Sequence, residues 1–158
     1  MADRTPRPPS LLKHPSYLAS QVSKYGRRQL EGALRKRDLG LIHSGVLSAL
    51  DDLGPLSQQQ LADSLDLHKS HLVGPLDHLE GRGLVSRTTD PSDRRRNQVA
   101  LTSAGKTLAE ELQPVGVLSQ RGFLDALSPA EQETLVTLLR RVLAANDAAR
   151  LAERDHPS

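Results

Sequence analysis

A chain of 158 residues, 37% hydrophobic and 25% charged, has room for one core-bearing domain and an oligomer interface. The absence of cysteine excludes disulfides, thiolate zinc sites and thiol redox switches. No apolar run approaches the roughly 18 residues of a membrane helix, and no apolar leader opens the chain, so a soluble cytoplasmic protein is expected.

The formal net charge is only +2, too small to imply a nucleic-acid partner, but it is blocked along the chain. Residues 1–37 carry +7, 38–81 carry −6, 82–96 carry +3 and 97–158 carry −2. Aromatics are 2%, so Leu, Val and Ala must build the core.

Residues 1–15 hold Pro6, Pro8, Pro9 and Pro15 and read as an irregular arm. A helix fits 16–37, with Leu18, Val22, Tyr25, Leu30 and Leu34 along one stripe. A second fits 39–52, and Gly54-Pro55 stops it. Ser57 and Gln60 form a capping-box pattern ahead of a short helix bearing Leu61 and Leu65. After a turn at 66–68, a further helix starts near Lys69, buries Leu72, Leu76 and Leu79, and ends at Gly81 and Gly83. Two short helices so joined make a helix-turn-helix candidate.

The period then changes from helix to strand. Residues 84–89 and 97–101 alternate and read as two strands. Between them Asp90-Pro91-Ser92-Asp93 supplies turn chemistry, followed by Arg94, Arg95 and Arg96. A hairpin directly after a helix-turn-helix is a wing. Thr102 caps the next helix, which Pro114 is expected to bend and Gly116 and Gly122 to loosen. Ser128-Pro129-Ala130-Glu131 starts a last helix to about Ala152, with Leu135, Leu138, Leu139, Val142 and Leu143 expected inward. The fold class is therefore mainly α with a small β-hairpin wing.

Gly83-Leu84-Val85, then Asp-Pro-x-Asp-Arg-Arg at 90–95, then Leu101-Thr102 with Gly105, resemble the MarR family of winged helix-turn-helix regulators. The resemblance spans about residues 39–112. It implies a homodimer, with 16–38 and 103–152 as dimerisation helices, 39–102 as the DNA-binding domain, 1–15 as an arm and 153–158 as a tail. It also implies a pseudo-palindromic operator of double-stranded DNA. Repression relieved by a small aromatic or phenolic effector is the expected mode.

The expected DNA contacts are Lys69, Ser70, His71 and Pro75 of the recognition helix, Ser57 and Gln58 at the preceding helix, and Arg94, Arg95 and Arg96 on the wing. Asp93 is similar to the family's acid that braces the wing arginine. Pro75 lies in the recognition helix, and its missing N–H and ring clash predict a bend or widened turn over 71–75. Asp63, Asp66, Asp77 and Glu80 would repel phosphate if they faced it.

The resemblance puts an effector pocket among the first, second and fifth helices. The residues expected there are His14, Tyr17, Tyr25, Arg28 and His43, over a floor of Val46 and Leu47. Six scattered histidines without cysteine match no metal-ligand spacing, so no metal or cofactor is expected. No nucleophile elbow, phosphate loop or His-Glu-x-x-His is present, which argues against an enzyme. The rival reading is a winged-helix module that binds protein without sequence-specific DNA binding.

Overall fold

The computed structural model describes residues 7–89 and 97–155. The chain divides into two compact units, Met1–Gln120 and Arg121–Ser158. In the first, α1 (Pro15–Arg35) begins behind His14, whose extended backbone and the following proline set the entry. Its Leu34 is fully buried, whereas Leu18, Val22 and Tyr25 are 40–50% exposed. The chain reverses at Asp38, in the left-handed region at φ 55. The helix α2 (Leu41–Leu53) then buries Val46, Leu47, Ala49 and Leu50.

Two extended residues precede the next helix and pair as a strand, β1 (Leu56–Ser57). From the sequence only the cap is legible here, because two residues show no alternation. The helix α3 (Gln58–Ser64) carries Leu61 and Ala62 into the core. A 3₁₀ turn at Lys69–Leu72 leads into α4 (Val73–Gly81). The hairpin follows as β2 (Val85–Thr89) and β3 (Asn97–Leu101), in register from Val85↔Leu101 to Thr89↔Asn97. Leu56 pairs with Val99, so the antiparallel sheet runs β1-β3-β2.

Leu34, Val46, Leu47, Leu61, Leu72, Leu76, Leu79, Val85 and Val99 are the largest fully buried side chains. Each is worth about 1.5–3 kcal/mol of apolar burial, so this cluster holds α3, α4 and the hairpin in one piece.

The hairpin is tied to α5 (Ser103–Arg121) through Thr102. Its hydroxyl donates to the Gly83 carbonyl at 2.6 Å and accepts from the Gly105 N–H at 3.0 Å. Its own N–H donates to the Leu84 carbonyl at 3.1 Å. A Cβ at Gly105 would lie 1.8 Å from that same carbonyl oxygen, so only glycine lets α5 approach. Contrary to the expected loosening at Gly116, α5 stays helical through Pro114 and Gly116 to Arg121.

In the second unit a 3₁₀ turn at Gly122–Leu124 precedes α6 (Pro129–Asp155). The Ser128 N–H donates to Glu131 Oε2 at 2.8 Å and the Glu131 N–H to Ser128 Oγ at 3.4 Å, the expected reciprocal cap. The expectation that α6 turns its apolar residues inward is corrected. Leu138, Leu139, Val142 and Leu143 are 49%, 51%, 63% and 63% exposed, because a unit of this size has too little surface to cover them.

Candidate nucleic-acid interface

The start of α3 is built from Ser57 and Gln60. Ser57 Oγ accepts from the Gln60 N–H at 3.1 Å, and Gln60 Oε1 accepts from the Ser57 N–H at 2.9 Å. Ser57 is therefore engaged in its own cap, and Gln58 beside it is half-buried. The turn after α3 passes through Asp66 at φ 52 and reaches His68, which the sequence reading did not count among the site residues. His68 Nδ1 accepts from the Ser70 N–H at 3.3 Å and lies 2.8 Å from Ser70 Oγ. Histidine thus does what Ser or Asp usually does at a helix start. Lys69, Ser70 and His71 are all exposed on this turn.

The bend expected at Pro75 is corrected by where the helix begins. Residues 69–72 form a tighter 3₁₀ turn, and the α-helix starts at Val73. Pro75 is then third in α4, where an N–H has no intrahelical acceptor in any case. The proline sits within the one turn that tolerates it.

The acids of α4 do not stand alone. Arg87 on β2 reaches back, its Nη2 donating to Asp77 Oδ1 at 2.6 Å and its Nη1 to Glu80 Oε2 at 3.2 Å. Its backbone N–H donates to Glu80 Oε1 at 3.3 Å. The repulsion that the −6 block suggests is partly cancelled at the recognition helix by a cation from the wing's first strand. On α3, Gln59 Nε2 donates to Asp63 at 3.1 Å.

The far end of α4 grips the α1–α2 turn. Arg82 Nη1 donates to the carbonyls of Arg37 at 3.0 Å and Asp38 at 3.1 Å. His78 Nε2 lies 3.0 Å from the Asp38 carbonyl oxygen and 3.5 Å from its carboxylate. The His78 ring lies 4.6 Å from that of His43. His43 Nδ1 in turn accepts from the Gly40 N–H at 2.8 Å and so caps α2. Partial burial lowers the pKa of His43 most. His78 and Arg82 lower it further, while Asp38 opposes them.

The residues expected to line an effector pocket fall into three groups. Val46 and Leu47 are 0% exposed in the core and offer no surface. Tyr17 and Tyr25 lie along α1, where Arg7 of the arm donates to their hydroxyls at 3.5 and 3.2 Å and to Gln21 at 2.7 Å. His14 and Arg28 are exposed. His43 instead borders a crevice of about 380 Å³ with Glu31, Arg35, Leu39, Gly40, Leu41, Ile42 and Pro75. Arg7, His68, Arg82 and Arg87 had no signal in the sequence except position, since the partners of Arg82 lie 44 and 45 residues away. Asp93, Arg94, Arg95 and Arg96 lie outside the described residues. Among the described residues no cluster of three or more His, Asp or Glu could hold a metal ion, and no helix is long and apolar enough to cross a membrane.

A sequence model of the MarR family matches residues 45–96. Over 98 residues the chain is 34% identical to a Thauera aromatica protein assigned to transcriptional regulation of the hcr operon. That match covers 62% of this chain and 59% of the relative, so the chain spans about three-fifths of the curated relative's length. Among solved structures, a mutant of MarR from E. coli complexed with operator DNA is similar, with a TM-score of 0.72 and 28% identity, over 81% of this chain and 92% of that one. Bordetella bronchiseptica BpsR, whose DNA binding is regulated by 6-hydroxynicotinic acid, is similar with a TM-score of 0.72 and 27% identity, over 80% and 96%.

Proposed function

Because the chain belongs to the MarR family, we propose that it is a transcriptional regulator that binds double-stranded operator DNA as a homodimer. The observation that carries this reading is the exposed turn of Lys69, Ser70 and His71, set beside a hairpin and backed by acids that Arg87 holds. A recognition helix reads base edges and phosphates with its first exposed residues. Lys69 supplies charge there, and His71 supplies a ring nitrogen for a base. Ser70 shares its hydroxyl with His68, so it is oriented before DNA arrives. Arg94, Arg95 and Arg96 add the wing contacts to phosphate and minor groove, with Asp93 bracing one of them. Ser57 and Gln58 contribute through the backbone N–H groups at the start of α3.

The homodimer is supported by the apolar surface each chain leaves uncovered: Leu18 and Val22 on α1, Leu118 on α5, and Leu139 and Val142 on α6. Patches of that kind mark association surfaces, and closed two-fold symmetry is the commonest solution. The operator is then a pseudo-palindrome. Repression is the proposed mode, since a dimer seated over a promoter blocks access to it. A small aromatic or phenolic effector relieves it, a reading supported by the similarity to BpsR.

Selection of binding sites from random DNA tests this. The expected product is a pseudo-palindrome with half-site centres about 10 base pairs, or a small multiple, apart. Recovery of no enriched sequence, with retention on heparin insensitive to salt, would favour a protein-binding module instead.

A further inference from the structure

The turn that opens the recognition helix is pinned on both sides. Before it, the Leu67 N–H donates to the Ala62 carbonyl at 2.9 Å around the left-handed Asp66, which closes α3. After it, Leu72 is 0% exposed in the core. Within it, the His71 N–H donates to the His68 carbonyl at 2.9 Å. The backbone of Ser70 is thereby fixed, and what its hydroxyl offers to DNA depends on where the hydroxyl hydrogen points.

His68 decides that. The Ser70 N–H donates to His68 Nδ1 at 3.3 Å, so Nδ1 offers a lone pair and the neutral ring carries its hydrogen on Nε2. Ser70 Oγ lies 2.8 Å from the same Nδ1. A ring nitrogen without hydrogen can only accept, so the hydroxyl donates its single hydrogen to it. Lone pairs are what remain on Ser70 Oγ, and the residue is exposed. Phosphate oxygens also only accept, so this hydroxyl does not suit the DNA backbone. In the major groove the matching donors are the N6 amino group of adenine and the N4 amino group of cytosine. Guanine and thymine present only acceptors there.

We propose that His68 is a positioning residue for sequence readout: by taking the hydroxyl hydrogen of Ser70 it turns Ser70 into an acceptor that reads adenine or cytosine at one position of each half-site. The inference rests on the regulator reading and names a specificity determinant within it. Lys69, a donor with no acceptor, serves the phosphates beside it.

Binding sites are selected from random DNA with the full chain as wild type, Ser70→Ala, His68→Ala and His68→Asn. The asparagine side-chain oxygen accepts from the Ser70 N–H and hydroxyl as the ring nitrogen does, so it keeps both the cap and the polarity. Circular dichroism melting establishes that each protein is folded. A long-range proton–nitrogen NMR spectrum of the wild type reads the His68 tautomer directly.

The wild type is expected to select adenine or cytosine over guanine or thymine about fivefold or more at one position of each half-site. Ser70→Ala loses that preference and keeps the rest of the operator. His68→Ala frees the hydroxyl to donate or accept, so the same position relaxes toward equal use of the four bases, and His68→Asn restores the choice. The neutral His68 ring carries its hydrogen on Nε2. A residue that only caps the turn gives another pattern, in which His68→Ala weakens every site alike and leaves each preference as in the wild type. That result would overturn the proposal. So would a guanine or thymine preference that Ser70→Ala abolishes, or a neutral ring protonated on Nδ1. An enriched pseudo-palindrome that is the same in all four proteins overturns the His68 assignment alone, whereas no enriched sequence from the wild type overturns the regulator reading with it.

Discussion

Arg87 is the residue on which the electrostatics of α4 turn. Arg87→Ala leaves Asp77 and Glu80 without their cation and is expected to weaken operator binding. Folding stability falls by only about 0.5–1 kcal/mol, as these pairs are partly exposed. Adding Asp77→Asn and Glu80→Gln restores much of the affinity, which gel-shift titration of the three proteins measures. On the proposed wing contacts, Arg94→Ala and Arg95→Ala each remove one cation from the phosphates, and each is expected to reduce the salt slope of binding by about 0.9. His43 gives a pH signature. Its folded pKa lies below the ordinary imidazole value of about 6.5, chiefly through burial. The unfolded chain thus binds more protons than the folded one below that pH. The stability tied to this ring is whole above about pH 6.5 and declines as pH falls toward the lower folded value. His43→Gln keeps an acceptor for Gly40 and removes the titration, so urea unfolding between about pH 7.5 and 5.5 becomes flatter than in the wild type. The local caps at Ser57 and Ser128 were legible in the sequence, because both partners lie within four positions. Arg82 was not, because its acceptors lie in the turn between two other helices.

Helix starts and close approaches decide what the elements can do. Pro75 reads from the sequence as a breaker because the helix reads from Lys69; with the α-helix starting at Val73, it breaks nothing. Pro75→Ala is therefore expected to shift stability by less than about 1 kcal/mol, whereas a helix-interior proline costs about 3. Gly105→Ala is the opposite case. Its Cβ meets the Leu84 carbonyl at a position where α5 and the hairpin are joined by Thr102, and a loss of about 1–3 kcal/mol or more is expected by urea unfolding. The motif Leu101-Thr102 with Gly105 was visible in the sequence, but its reason is the packing of α5 on the start of the hairpin. The strand β1 was not visible. It exists through its pairing with β3, and nothing in two residues announces that.

At the scale of the molecule, the winged module and its flanking helices were legible in the sequence, since periodicity and turn chemistry are local signals. The apolar stripe of α6 was legible too, but a stripe of leucines reads the same whether it meets its own chain or another. The exposed Leu139 and Val142 support the proposed homodimer, for which sedimentation at micromolar concentration should give twice the mass of one chain. Of the residues expected in an effector pocket, Val46 and Leu47 lie in the core, Tyr17 and Tyr25 along α1, and His43 beside the α1–α2 turn, places that helix periodicity does not distinguish. In the proposed function, a winged module with a screened recognition helix binds a symmetric operator. Titration of the selected operator and a scrambled duplex across a series of salt concentrations tests it most directly. One dimer per operator, a preference of about 10³ or more over the scrambled DNA, and a linear fall of log affinity with log salt are expected. Equal, salt-insensitive affinity for both duplexes would contradict it.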